Sequence, residues 1–188
     1  MGNTKVMQQT PFLNGKSVFL RGLCPEDAEG NYPVWFNSSD ICLYNSHHRF
    51  PYTKAEAILY IENLAADKTK LIFAIIENQT FQHIGNAALQ DISYIDRSAE
   101  IAFIIGEKRY WGGGIATEVG ALIIGHGFQQ LNLNRIYMGT SANNIGMIKV
   151  AEKLGFAKEG TRRQAFYKNG QYVDLVEFGL LRTEWNHG

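Results

Sequence analysis

Three consecutive glycines, Gly112, Gly113 and Gly114, stand between an apolar stretch and a run of helical periodicity, and this junction restricts the fold more than any other segment. Ala99 to Gly106 reads as a buried strand, and Ile115 to Leu131 carries Ile115, Val119, Leu122 and Ile123 on one helix face. Glycines at such a junction let backbone N–H groups turn toward a ligand. The unpaired N–H groups of the helix's first turn add the positive end of its dipole. Strand, glycine loop and helix in that order make an anion cradle suited to phosphate.

What the loop lacks narrows the ligand. A nucleotide P-loop needs Lys and then Ser or Thr directly after its last glycine, whereas Ile115 and Ala116 follow Gly114. A dinucleotide fingerprint needs a glycine where Thr117 stands. The pattern present is Arg-x-x-Gly-x-Gly, filled by Arg109, Gly112 and Gly114. Leu20-Arg21-Gly22-Leu23-Cys24-Pro25-Glu26-Asp27, Ala99 to Gly106, and Asn144 to Phe156 lie in order around it. In these segments the chain resembles the GNAT superfamily of acyl-CoA-dependent N-acyltransferases, in the branch that acetylates ribosomal-protein N-termini, polyamines and amino sugars.

The resemblance implies an α+β fold: a mixed seven-stranded sheet flanked by helices, with a splay between two central parallel strands. It implies a reaction in which a primary amine attacks the thioester of acetyl-CoA. The pantetheine arm would run beside Phe103, Ile104 and Ile105, where one backbone N–H steadies the oxyanion. The pyrophosphate would take the amides of Trp111, Gly112, Gly113, Gly114, Ile115, Ala116 and Thr117, and Asn144 matches the family's asparagine toward CoA. Glu100, at the start of the central strand, is the expected base, acting through a water. The family's tyrosine in the closing helix, an acid for the leaving thiolate, is Ala151 here, and the family's helix serine is Met147. Ser141 or Tyr167 are the expected substitutes. A second reading keeps the CoA cradle without the chemistry, as a sensor or scaffold module.

At 188 residues the chain suits one domain, residues 1–188 with a core of about 16–182, and is short for two. Lys plus Arg and Asp plus Glu number 18 each, so no overall field draws the chain to nucleic acid or an acidic membrane. No apolar run reaches the roughly 18 residues of a membrane span. The polar Met1 to Gln9 does not read as a signal peptide, so a cytoplasmic protein is expected. Cys24 and Cys42 have no metal or redox spacing, and the adjacent His47 and His48 cannot readily converge on one ion, so no metal is expected. The expected partners are a small-molecule or peptide amine and a second copy of the chain.

Along the chain, Val18 to Leu23 reads as a strand and Pro25-Glu26-Asp27 as a helix start. The aromatic-rich segment Asn31 to Tyr52, broken by Pro33 and Pro51, is the expected acceptor wall. Thr53 and Glu56 form a capping box on the next helix. Leu71 to Ile76, Ile84 to Leu89 and Glu100 to Ile105 form an antiparallel meander. Arg135 to Thr140 follows the glycine-rich helix and is parallel to the central strand. Asn143 or Asn144 caps a last helix, stopped by Gly155, and Asn169-Gly170 joins the two final strands.

Overall fold

In the computed structural model residues 10–186 are described, and the polar segment Met1 to Gln9 lies outside them. Eight strands form one sheet: β1 (Leu13–Asn14), β2 (Val18–Gly22), β3 (Leu71–Glu77), β4 (His83–Ser93), β5 (Ser98–Ile105), β6 (Arg135–Ser141), β7 (Ala157–Lys168) and β8 (Gln171–Leu181). Their order is β1-β2-β3-β4-β5-β6-β8-β7. The eighth strand is the two-residue β1, which corrects the expected seven. It folds back on β2 through Phe12 N–H to Leu20 O and Gly15 N–H to Val18 O, and is too short to carry a period-2 signal.

Among the described residues four α-helices flank the sheet: α1 (Tyr32–Phe36), α2 (Lys54–Leu64), α3 (Ile115–Gln129) and α4 (Ile145–Lys153). Pro25–Glu29 is only a 3-10 turn, and Pro33 sits inside α1 rather than breaking it. In the first turn a proline's missing N–H costs nothing, because that amide has no partner within the helix. The Thr53 cap forms as expected: Thr53 Oγ1 accepts Glu56 N–H at 3.2 Å and Glu56 Oε2 accepts Thr53 N–H at 2.7 Å.

Alternation along β5 sorts the two layers. Ala99 and Ile101 point into the main core with Val119, Ile123 and Phe128 of α3, while Ile104 packs on the opposite face against the cluster of Tyr32, Trp35, Phe36, Ala57 and Ile61 from α1 and α2. Gly120 is what lets α3 close on α4, since a Cβ there would stand 2.5 Å from Leu154 Cδ1.

β5 and β6 run parallel but pair over only three residues, from Ser98 opposite Arg135 to Glu100 opposite Tyr137. Beyond that point β5 continues to Ile105 paired with β4 alone, and β6 to Ser141 paired with β8 alone. The sheet is therefore split from Ile101 onward, at the carboxyl ends of its two parallel strands. That is where ligands bind in parallel sheets.

Candidate active site

The glycine loop stands at the open end of this split. Gly112 and Gly114 have φ of 75° and 85°, a left-handed backbone that favours glycine, and Gly114 is the N-cap of α3. Among the described residues the amides of Gly112 to Thr117 donate to no backbone carbonyl, and the first engaged is Glu118 N–H, to Gly114 O at 3.0 Å. Ile115 is buried, so it anchors the helix and offers only its amide. Glu118 would oppose an anion, but its Oε1 is turned to Ser17 N–H at 2.7 Å, which ties β2 to α3. Arg109 hydrogen-bonds Gln82 and lies over the Tyr110 ring at 4.9 Å. Uncommitted amides and the helix dipole fit a pyrophosphate, with the Glu118 carboxylate engaged by Ser17 N–H.

Beside the loop, register decides which peptide groups of β5 face the split. Gly106 N–H bonds Ile84 O at 2.8 Å, and Asn86 lies opposite Ile104. In an antiparallel ladder hydrogen-bonded pairs alternate, so the peptide groups of Ile104 are aimed at β4, and those of Phe103 and Ile105 at the split. This corrects the expectation that Ile104 offers its backbone there. The carbonyl of Ile105 is also taken, by Trp111 Nε1–H at 2.8 Å, which fastens the loop to the strand.

Glu100 sits on the α1/α2 face at the last paired step before the split. Gln90 Nε2–H donates to its Oε2 at 2.7 Å and fixes the carboxylate. Directly opposite is Tyr137, on the same face, since its neighbours Ile136 and Met138 point into the main core. Burial and the nearby Glu100 carboxylate raise the pKa of the Tyr137 phenol. Neither Gln90 nor Tyr137 was legible from the sequence, because their nearness to Glu100 depends on pairing register.

Ser141 ends β6, one residue later than the expected strand end, and is buried. Its Oγ accepts Asn143 N–H at 3.3 Å. Asn144 is the cap of α4: its Oδ1 accepts Met147 N–H at 3.2 Å and its Nδ2 donates to Thr140 Oγ1 at 3.2 Å. One Nδ2 hydrogen is left to offer. Ala151, at the family's tyrosine position, is fully buried in the core. Tyr167 is not brought to Glu100. It pairs with Tyr172 near the hairpin tip, lies against that ring at a tilt with centroids 4.8 Å apart, is half exposed, and by alternation points to the opposite face of the sheet.

The aromatic segment and the last hairpin meet. Lys168 Nζ donates to Asn45 O and His47 O at 3.2 and 2.6 Å, Arg49 donates to Tyr167 O at 3.2 Å, and its guanidinium lies 5.7 Å over Phe166. Phe36 continues this wall through edge contacts with His47 and Tyr52 at 4.3 and 5.1 Å. A cavity of about 270 Å³ opens among residues that include Phe36, Phe50 and Tyr52.

Under the wall lies a polar cluster in which Arg21, Cys24 and Asp27 stand in the sequence motif and His83 does not. Arg21 grips Asp27 with two bonds of 2.7 and 2.8 Å, and His83 Nδ1 stands 3.4 Å from the same carboxylate. Burial alone would raise the pKa of Asp27, but Arg21 and His83 outweigh it and hold the carboxyl far below its ordinary range. The Cys24 thiol is pushed up to about 11, by burial first and by Asp27 next. Among the described residues no group of His, Cys, Asp or Glu is arranged to hold a metal ion. No helix there is long and apolar enough to cross a membrane.

Comparison with known proteins places this geometry. The family model described as Acetyltransferase (GNAT) domain matches residues 17–157. The N-acetyltransferase p20 of Bacillus licheniformis is 33% identical over 177 residues, 92% of this chain and 97% of that protein. Spermidine N(1)-acetyltransferase of Escherichia coli K12 is 33% identical over 101 residues, 54% of each chain. The crystal structure of spermidine N-acetyltransferase from Vibrio cholerae in complex with CoA and spermine superposes with a TM-score of 0.81 at 27% identity, over 89% of this chain and 97% of the other.

Proposed function

This chain belongs to the acetyltransferase (GNAT) domain family and is an acetyl-CoA-dependent N-acetyltransferase, and from that premise we propose that it acetylates a primary amine by direct attack in a ternary complex. The observation that carries the proposal is the parting of β5 from β6 after Glu100, with the glycine cradle at the same end. The thioester of CoA supplies an activated acetyl group. The amides of Gly112 to Thr117 bind the pyrophosphate, and the N–H of Phe103 or Ile105 steadies charge on the carbonyl oxygen. Glu100, held by Gln90, takes the amine's proton through a water. Ser141, whose hydroxyl donates to no group among the described residues, supplies what acid the thiolate needs. That need is slight, because a thiol of pKa near 8.5 leaves largely unaided at neutral pH.

Direct attack is supported by the cysteines. Cys24 is held protonated at neutral pH and Cys42 is fully buried with its pKa raised, again by burial, so neither is an activated nucleophile. The proposal takes residues 1–188 as one domain in the cytoplasm with a second copy as partner, which sedimentation of the purified chain checks. The acceptor is a protein N-terminus, a polyamine or an amino sugar. A thiol-release screen across these three classes tests the function: acetyl-CoA consumed with one class is expected, and consumption with none contradicts it.

Two further results are expected. Glu100→Gln lowers kcat/KM at least about tenfold at pH 7 for an alkyl amine of pKa about 10, because only about one such molecule in a thousand is then neutral, a deficit of roughly 4 kcal/mol. The loss shrinks toward pH 9, and it is smaller throughout for an α-amine near pKa 8. A variant that parallels the parent at undiminished rate would remove Glu100 from the chemistry. Exhaustive chelation leaves activity unchanged, since thioester aminolysis needs no Lewis acid, and loss restored by zinc would show otherwise.

A further inference from the structure

The strip of β5 that carries Glu100 has a built end. Alternation puts Glu100, Ala102, Ile104 and, one residue past the strand, Gly106 on the same face. Ile104 is covered by the cluster from α1 and α2, and Gly106 by the Trp35 ring, which lies so close that a Cβ there would stand 2.1 Å from Trp35 Cδ2. Glu100 and Ala102 remain partly exposed. α1 therefore closes one end of the strip, and its seat decides how much room an amine has beside Glu100.

Glu107 holds α1 in that seat. Its Oε1 accepts Asn31 Nδ2–H at 2.8 Å, from the N-cap of α1, and Trp35 Nε1–H at 3.3 Å, from inside the helix. Trp35 is 2% exposed, so removing this acceptor would strand a buried donor, and a helix free to shift would move to satisfy it. A second tie, Lys108 to Asp40, joins two side chains that are both more than half exposed and contributes little.

The glycine cradle is anchored separately. Trp111 Nε1–H holds Ile105 O at 2.8 Å, and Arg109 bonds Gln82. The backbone of Glu107 is fixed by its own N–H on Ile84 O at 3.2 Å and by its carbonyl, which accepts Tyr110 N–H at 3.0 Å. Loss of the Glu107 side chain thus releases α1 and leaves the loop in place.

We propose that Glu107 is a positioning residue for acetyl transfer: its carboxylate seats α1 on the carboxyl end of β5 and so holds the amine's pocket against the thioester site. This rests on the acetyl-transfer reading above, with the amine received at Glu100.

The test is initial-rate kinetics of thiol release from acetyl-CoA with spermidine, glucosamine and alanylglycine, followed on whichever amine is consumed fastest. Glu107→Ala is expected to raise the KM for that amine about tenfold, the scale of a lost hydrogen bond to a charged group, while the KM for acetyl-CoA stays unchanged. The unchanged value also shows that the variant is folded. Glu107→Gln keeps an accepting oxygen and should stay within about threefold of the parent. Asn31→Ala should raise the amine's KM less, and should add nothing in the Glu107→Ala background, because the two side chains act through one contact. An unchanged amine KM in Glu107→Ala, an equal rise in both KM values, a glutamine variant as poor as the alanine, or additive losses would each overturn the inference alone. No thiol from any amine with the parent chain would overturn the acetyl-transfer reading as well.

Discussion

Gly113→Glu removes CoA binding and leaves the fold intact. Gly113 lacks the left-handed φ of its two neighbours, and a Cβ there meets nothing nearer than Tyr110 O at 3.7 Å, so a side chain is accommodated. Its carboxylate then stands among the amides that are free to bind phosphate. Two like charges about 4 Å apart near a protein surface repel by roughly 4 kcal/mol, close to three decades in affinity. Calorimetry with CoA should give binding for the parent and none measurable for the variant, with unchanged thermal midpoints. Equal affinities would mean that the pyrophosphate lies elsewhere.

Asp27→Asn costs about 3–5 kcal/mol of stability at neutral pH, because it strands the buried Arg21 guanidinium without a counter-charge. The effect has a defined pH dependence. The folded-state pKa of Asp27 lies below the unfolded value of about 3.9, so its contribution is complete above that value and is lost as pH falls through and below it. Denaturant titrations should therefore show the parent's advantage over the variant shrinking from about pH 5 downward. A variant as stable as the parent at pH 7 would mean that Arg21 finds other partners. Because Asp27 also fastens the turn before α1 through Cys24 N–H at 2.9 Å, the acceptor wall should loosen with it.

Local chemistry was legible and long-range register was not. The Thr53 and Glu56 cap, the Asn169-Gly170 turn with φ of 50° and 81°, and the strand-glycine-helix junction each depend on neighbours a few residues apart, and each stands as expected. The sides taken by the Ile104 peptide groups and the Tyr167 side chain were not legible, because each belongs to one side of a strand by parity. In β7 the one-residue bulge between Lys158 and Gly160 shifts that parity, so counting from the start of the strand cannot place Tyr167. Likewise His83 meets Asp27, and Glu118 meets Ser17, only once the sheet has formed. The mouth of the site was half legible: the aromatics of Asn31 to Tyr52 were visible, but not Lys168 and Arg49, which bind that segment to the hairpin.

The most direct test of direct transfer at a split sheet is initial-rate kinetics with acetyl-CoA and the accepted amine both varied, joined to mass analysis of the protein after exposure to acetyl-CoA alone. Attack within a ternary complex requires intersecting reciprocal plots and a protein that carries no acetyl group. Parallel plots with acetyl retained on a side chain would contradict it, and would assign the first step to a nucleophile of the protein itself.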